Sequence, residues 1–219
     1  DGTLLDSLQD LAESANEMLT ERGFAAHPIS DYRHFVGDGA RTLMERILPP
    51  DAAVDSSTVD ECLQAYLARY DRRWDRNTCY YEGISDLLAQ LHRQSTRLTV
   101  LSNKPHRFTL RCVESLCPLP PTAKWDLVLG LRDGHPKKPD PLGALEILET
   151  MGVDRSEAAY FGDTDTDMKT AAAAGIHAIG VTWGFREEKE LRAAGAKTIL
   201  HHPTDLFDPG AASSDHSIN

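Results

Sequence analysis

Three aspartates at alternate positions, Asp163, Asp165 and Asp167, follow the apolar run Ala158-Ala159-Tyr160-Phe161-Gly162. Crowding carboxylates in this way is electrostatically costly unless a cation sits among them. Oxygen donors alone suit a hard divalent ion, and Mg²⁺ usually takes one or two carboxylates and completes its sphere with water and phosphate oxygens. A calcium loop is excluded, because Met168 stands where Asp-x-Asp-x-Asp-Gly requires glycine. A second constellation is His135-Pro136-Lys137-Lys138-Pro139-Asp140-Pro141, where prolines flank a lysine pair. A residue before proline is driven out of the helical region, so the lysines are held in extended backbone. An ammonium fixed in this way can neutralise a phosphoryl oxygen and a carboxylate together.

A third is Leu98-Thr99-Val100-Leu101-Ser102-Asn103-Lys104, an apolar run ending in a hydroxyl and an amide before Pro105 opens a helical pattern. Ligands of open parallel sheets sit beyond the carboxyl ends of the strands, which places Ser102 and Asn103 at a site. Backbone N–H groups at the following helix start would face an anion there. The chain itself opens Asp1-Gly2-Thr3-Leu4-Leu5-Asp6-Ser7. Asp-Gly is also a turn signal, but here it stands beside three other phosphate-suited motifs.

These residues need elements to hold them. Ser7 can cap a helix carrying Leu8, Leu11, Ala12, Ala15, Met18 and Leu19 on one stripe, closed by Gly23. Shorter helices follow around 31–35 and 39–48. A longer one runs near 57–74, with Val59, Leu63, Tyr66, Leu67 and Tyr70 on one face. No convincing strand is visible from Asp6 to about Cys79. From Gly83 onward, helices alternate with candidate strands at 98–101, 126–129, 159–161, 178–181 and 198–200. Such alternation predicts an α/β fold with a doubly wound parallel sheet. The organisation is read as a core over 1–6 and 80–208, a helical insertion over 7–79, and a tail over 209–219 of disorder-prone composition.

Composition sets outer limits. The 219 residues are 41% hydrophobic, enough for a large core, and carry a formal net charge of −11. That charge argues against nucleic acid or an anionic membrane as a general partner. No apolar stretch approaches the roughly 20 residues of a membrane span. Cys62, Cys79, Cys112 and Cys117 form no close-paired zinc pattern, and core thiols in a reduced, cytoplasmic chain are expected.

In this order the motifs closely resemble the haloacid dehalogenase-like superfamily, over nearly the whole chain. Asp1-Gly2-Thr3 matches the right half of its Asp-x-Asp-Gly-Thr signature. Tyr80-Tyr81-Glu82-Gly83-Ile84-Ser85-Asp86-Leu87-Leu88 resembles the segment that re-enters the core from a helical cap. Val181-Thr182-Trp183-Gly184-Phe185, then Glu187-Glu188 and the run from Leu191 to Ala196, is similar to the late part of phosphoglycolate phosphatases. So is Phe35-Val36-Gly37-Asp38-Gly39-Ala40-Arg41 in the cap.

The resemblance implies a Rossmann-like core, bound Mg²⁺ and an aspartyl-phosphate intermediate. The attacking carboxylate is expected two residues upstream of Asp1, on a strand lying between those at 98–101 and 159–161. Asp1 would donate and then accept the proton, its backbone carbonyl also reaching the metal. Asp163 would bind the metal directly, and Asp167 either directly or through water. Ser102, Asn103, Gly2 and Thr3 would hold the phosphoryl oxygens. Lys138, which registers before Pro-x-Pro, would neutralise charge in preference to Lys137. Arg41 is either the partner of a substrate carboxylate or a solvated helix residue. The expected activity is hydrolysis of small phosphomonoesters, 2-phosphoglycolate first, by a monomer or homodimer. A phosphomutase or another sugar-phosphate or nucleotide phosphatase is the alternative within the superfamily; Gly162 stands where the hexose-phosphate mutase has glutamate, which favours the phosphatase. A non-catalytic binding or regulatory protein is the alternative of another class.

Overall fold

The structure is a computed structural model that describes residues 1–116 and 124–208. It begins with a short strand, β1 (Leu5–Asp6), and then a block of helices: α1 (Leu8–Glu21), α2 (Tyr32–Phe35), α3 (Ala40–Ile47), α4 (Pro50–Ala53) and α5 (Ser56–Tyr70). Strand β2 (Cys79–Tyr80) returns from that block and pairs antiparallel with β1, Leu5 opposite Tyr80 and Asp6 opposite Cys79. The two strands of this ribbon bound the helical stretch, and only helices lie between them among the described residues. Two residues per strand are too few for a side-chain alternation to register in sequence.

The α/β part follows, with α6 (Ile84–Arg93), β3 (Thr99–Pro105), α7 (His106–Leu116), β4 (Leu127–Leu131), α8 (Leu142–Met151), β5 (Ala159–Gly162), α9 (Asp165–Ala174), β6 (His177–Val181), α10 (Glu188–Ala193) and β7 (Thr198–Leu200). Every strand pair in this part is parallel, as helix-strand alternation requires. The sheet is in two pieces, β3-β4 and β5-β6-β7. Between them lies a cavity of about 720 Å³, lined by Thr99, Val100 and Leu101 on one side and Ala159, Tyr160 and Phe161 on the other.

The apolar stripes bury as the spacing predicts. Leu11, Ala12, Ala15, Met18 and Leu19 of α1 meet Val59, Cys62, Tyr66 and Tyr70 of α5, and the same cluster continues through Phe108, Cys112 and Val113 of α7. The helical block and the α/β part thus share one apolar core. Helix α9 packs Met168 and Ala171 against Ala178, Leu191 and Ile199. Two local details differ from expectation. Helix α5 starts at an unanticipated cap, Asp55, whose carboxylate accepts from the Ser57 and Thr58 backbone N–H groups. Ser7 stands at the start of α1 but its side chain caps nothing; its hydroxyl is turned to donate to Asp1 Oδ1. Cys117 and the stretch 209–219 lie outside the described residues.

Candidate active site

Parallel strands deliver their carboxyl ends to one side, and the chemistry-bearing residues gather there. Asp163, directly after β5, is buried. One of its oxygens accepts from Thr3 Oγ1 at 2.9 Å and the other from the Phe185 backbone N–H at 3.0 Å. Asp167, in the first turn of α9, forms a 2.6 Å ion pair with Lys138 Nζ. It also accepts the Thr164 hydroxyl at 2.8 Å, part of a capping arrangement at the start of α9.

Close packing around the two carboxylates depends on absent side chains. A Cβ at Gly2, whose φ is +72°, would fall 2.0 Å from Asp163 Oδ2, and one at Gly162 would fall 2.1 Å from Asp167 Cβ. Both positions admit glycine alone without rebuilding the site.

The electrostatics separate the two acids. Burial, and then the neighbouring Asp167 charge, push the Asp163 carboxyl up to about 6. Burial also pushes Asp167 upward, but the Lys138 ammonium and the Thr164 hydrogen bonds outweigh it and hold that carboxyl below its ordinary value. Lys138 is held above the usual ammonium range, because Asp167 and Tyr160 overcome its burial. A carboxylate deprived of a cation therefore stands beside one that has its own.

Asp163 fits a hard cation on this ground. It is a buried oxygen donor with a raised pKa and no Lys, Arg or His ion pair among the described residues, and its oxygens retain further lone pairs. No cluster of three or more His, Cys, Asp or Glu suited to a metal occurs among the described residues. Water and substrate oxygens would have to supply the rest of the sphere. Asp165 takes no part, since it pairs with Lys169 one turn along α9 on the outer face.

The remaining predicted residues divide. Asp1 accepts from Ser7 Oγ at 2.5 Å and from Lys104 Nζ at 2.9 Å on the same oxygen. It lines the cavity with Thr3, Ser102, Asn103, Lys138, Asp163 and Asp167. Ser102 Oγ accepts the Lys104 backbone N–H.

Asn103 has a task other than holding phosphate. Its amide donates to the Gly37 and Lys138 carbonyls at 3.1 Å each and accepts the Lys138 N–H at 2.8 Å. It therefore fixes the lysine segment against the helical block. Lys137 points away from the carboxylates, to the Asp38 carbonyl and the Thr42 hydroxyl. Arg41 is not brought to the site. It lies on the outside of α3, tied to Asp60 and Glu45 and donating to Ser56, and does not line the cavity. The adjacent Ala40 and Leu43 line it instead, because the amphipathic face of α3 turns its apolar side inward.

Sequence reasoning passed over the loop after β6, although it quoted those residues. A Cβ at Gly184 would fall 2.3 Å from Asp163 Cβ, the Phe185 N–H donates to Asp163, and Trp183 Nε1 donates to the Thr3 carbonyl at 2.9 Å. It also passed over Lys104, whose charge was visible beside Asn103 but whose direction was not.

Paired buried acids, a lysine and a proton-transfer candidate at the carboxyl ends of a parallel sheet, under a helical block, define a phosphoryl-transfer type of α/β hydrolase. A family model for haloacid dehalogenase-like hydrolases matches residues 1–181, and the chain belongs to that family. Among curated relatives, the phosphoglycolate phosphatase of Pseudomonas putida is 30% identical over 215 aligned residues, covering 97% of this chain and 77% of its own. That of Psychrobacter arcticus is 30% identical over 100% of this chain and 93% of its own. A crystal structure of a provisionally assigned phosphoglycolate phosphatase from Lactobacillus delbrueckii subsp. bulgaricus superimposes with a TM-score of 0.86 at 26% identity, covering 98% of this chain and 96% of that one.

Proposed function

We propose that this protein is a magnesium-dependent phosphatase of small phosphorylated acids, with 2-phosphoglycolate as its substrate. The observation that carries the reading is the buried pair Asp163 and Asp167, one carboxyl pushed up to about 6 and the other neutralised by Lys138. The names of the curated relatives support the choice of substrate. Helices α1–α5 act as the cap that limits substrate size.

Asp163, with the Asp1 backbone carbonyl and Asp167, would hold the ion, which when bound supplies positive charge to the phosphoryl oxygens. An aspartate two positions ahead of Asp1 would be the attacking group, and attack would yield an aspartyl-phosphate that water then hydrolyses. Asp1 gives a proton from its carboxyl to the departing alkoxide and recovers one from that water. Ser7 Oγ and Lys104 Nζ hold the accepting oxygen of Asp1 in place. Lys138 neutralises charge that grows as phosphorus is attacked. Phosphatase is preferred to hexose-phosphate mutase because the close approach of Gly162 to Asp167 leaves no room for a glutamate side chain.

A form bearing Asp-x ahead of Asp1 tests the reading through phosphate release. Release from 2-phosphoglycolate should require Mg²⁺, stop on chelation, and exceed release from glucose 6-phosphate in kcat/KM. Undiminished turnover after exhaustive chelation would overturn the metal assignment, and a higher kcat/KM for the sugar phosphate would overturn the substrate.

A further inference from the structure

We propose that Lys104 is the specificity residue that receives the second anionic group of the substrate, the carboxylate of a short phosphorylated acid. The inference rests on the phosphatase reading above and adds the residue that would choose among phosphate esters. A phosphorylated acid brings two anionic ends into one cavity, so it calls for a cation besides the one at the phosphoryl group.

The positively charged side chains lining the cavity are Lys104, Lys138 and Arg97. Lys138 is committed to Asp167. Arg97 is exposed before the start of β3 and donates to the Met151 carbonyl, at the opposite end of the strand from the site. Lys104 is left, near the carboxyl end of β3.

Its side chain is buried between the two halves of the molecule. The ammonium donates to Tyr70 Oη of α5 at 2.5 Å and to Asp1 Oδ1 at 2.9 Å, and it lies 4.5 Å from the centre of the Tyr70 ring. An ammonium has three N–H donors, so one remains for a ligand. Among the described residues Asp1 is the one carboxylate paired with it, and that carboxylate also accepts from Ser7. Buried charge of this kind is costly to maintain and is expected where it has a ligand to meet.

The placement also fits a short ligand. Ser102 and Lys104 both line the cavity, in the irregular stretch of β3 between Leu101 and Pro105. A phosphate near Ser102 and a carboxylate near Lys104 would then be neighbours, as the two ends of a short ligand are. Because Lys104 touches Tyr70, an anion seated there also contacts the helical block. Recognition of the acid would thereby be joined to closure of that block over the site.

The test is calorimetric binding to the full chain in Mg²⁺, using 2-phosphoglycolate and ethyl phosphate, which lacks the carboxylate. The wild-type chain should bind phosphoglycolate about tenfold more tightly or better, on the scale of a charge-assisted hydrogen bond. Lys104→Met should bring that ratio close to one, and a circular dichroism spectrum matching that of the wild type certifies that the variant is folded. Lys104→Arg should retain part of the preference. Lys189→Met, removing an exposed charge on α10, should leave it intact. An unchanged ratio in Lys104→Met, or equal loss of both ligands, would overturn the assignment to Lys104 alone. If the wild-type chain binds neither ester, the phosphatase reading falls and this inference falls with it.

Discussion

At the scale of single residues, three aspartates that look alike in sequence acquire three different environments. Asp165 faces outward and pairs with Lys169, Asp167 is neutralised by Lys138, and Asp163 is buried with hydrogen bonds but no Lys, Arg or His ion pair among the described residues. The raised carboxyl of Asp163 has a consequence for stability. Between the ordinary value of 3.8 and about 6, the folded protein holds a proton that the unfolded chain releases. Stability from this group is therefore lost as pH rises through that window, and at neutral pH the buried charge opposes folding unless a cation is bound. Asp163→Asn is expected to melt no lower than the wild type at neutral pH without divalent ions. An asparagine can still accept the Phe185 N–H through Oδ1 and donate to the Thr3 hydroxyl. Added Mg²⁺ should raise the melting temperature of the wild type and of Asp165→Asn, but not that of Asp163→Asn. Thermal denaturation of the three proteins with and without Mg²⁺ checks this. A shift preserved in Asp163→Asn would remove that residue from the metal site.

At the scale of elements, the two strands through which the chain leaves and re-enters the helical block are fastened by a side chain that carries no chemistry. Asp10, in the first turn of α1, is fully buried. It accepts from the Asn77 N–H, Asn77 Nδ2, the Thr78 N–H and the Thr78 hydroxyl, all at 2.7–2.9 Å. Burial alone would raise this carboxyl, yet those donors hold it below 3.8. Its stabilisation is therefore complete above 3.8 and is lost as pH falls through the lower folded value. Asp10→Ala should cost about 2–4 kcal/mol, since it strands buried donors of the segment leading to β2. Urea denaturation at neutral pH gives the cost directly. The gap between variant and wild type should narrow at about pH 3, where the unfolded carboxyl is already protonated. A constant gap at both pH values would mean that packing, not the carboxylate, holds the linker.

At the scale of the whole molecule, the helical block is drawn onto the α/β part by contacts that ring the site. Asp38 accepts from Thr166 at 2.7 Å, the Gly37 carbonyl accepts from Asn103, and Arg33 donates to the Gly184 carbonyl. Under this ring the two pieces of sheet face one another across the apolar part of the cavity, away from the end lined by the acids and lysines, with the inner edges of β3 and β5 not bonded to each other. Sheet edges with apolar walls are suited to accept a further strand. An extension of Asp1 by four to six apolar residues ending in Asp-x is therefore expected to raise the melting temperature by roughly 5 °C or more. It should also allow an aspartyl-phosphate to be trapped with fluoride on the added aspartate and not on Asp1. Mass spectrometry and thermal denaturation read the two effects. An extension that leaves the melting temperature unchanged would show that the cavity does not take a strand.

The sequence by itself determined what depends on neighbours along the chain. Period and punctuation located α1, α5 and the strands β5, β6 and β7 within a few residues. The run from Asp163 to Asp167 declared an anion-crowded helix start. The ordered motifs carried the family, because their spacing reflects which strand ends must meet. Only tertiary structure decided which of two adjacent lysines reaches the acids and which secures the Asp38 segment. It also sent Arg41 outward, turned Asn103 into a clamp, and brought Lys104 beside Tyr70 and Asp1. These outcomes depend on side-chain direction and on contacts between residues dozens of positions apart, such as Tyr70 with Lys104 and Asp10 with Thr78. A charge in a sequence has a sign and a position along the chain. Its partner, its burial and hence its work are fixed only when distant segments pack around it.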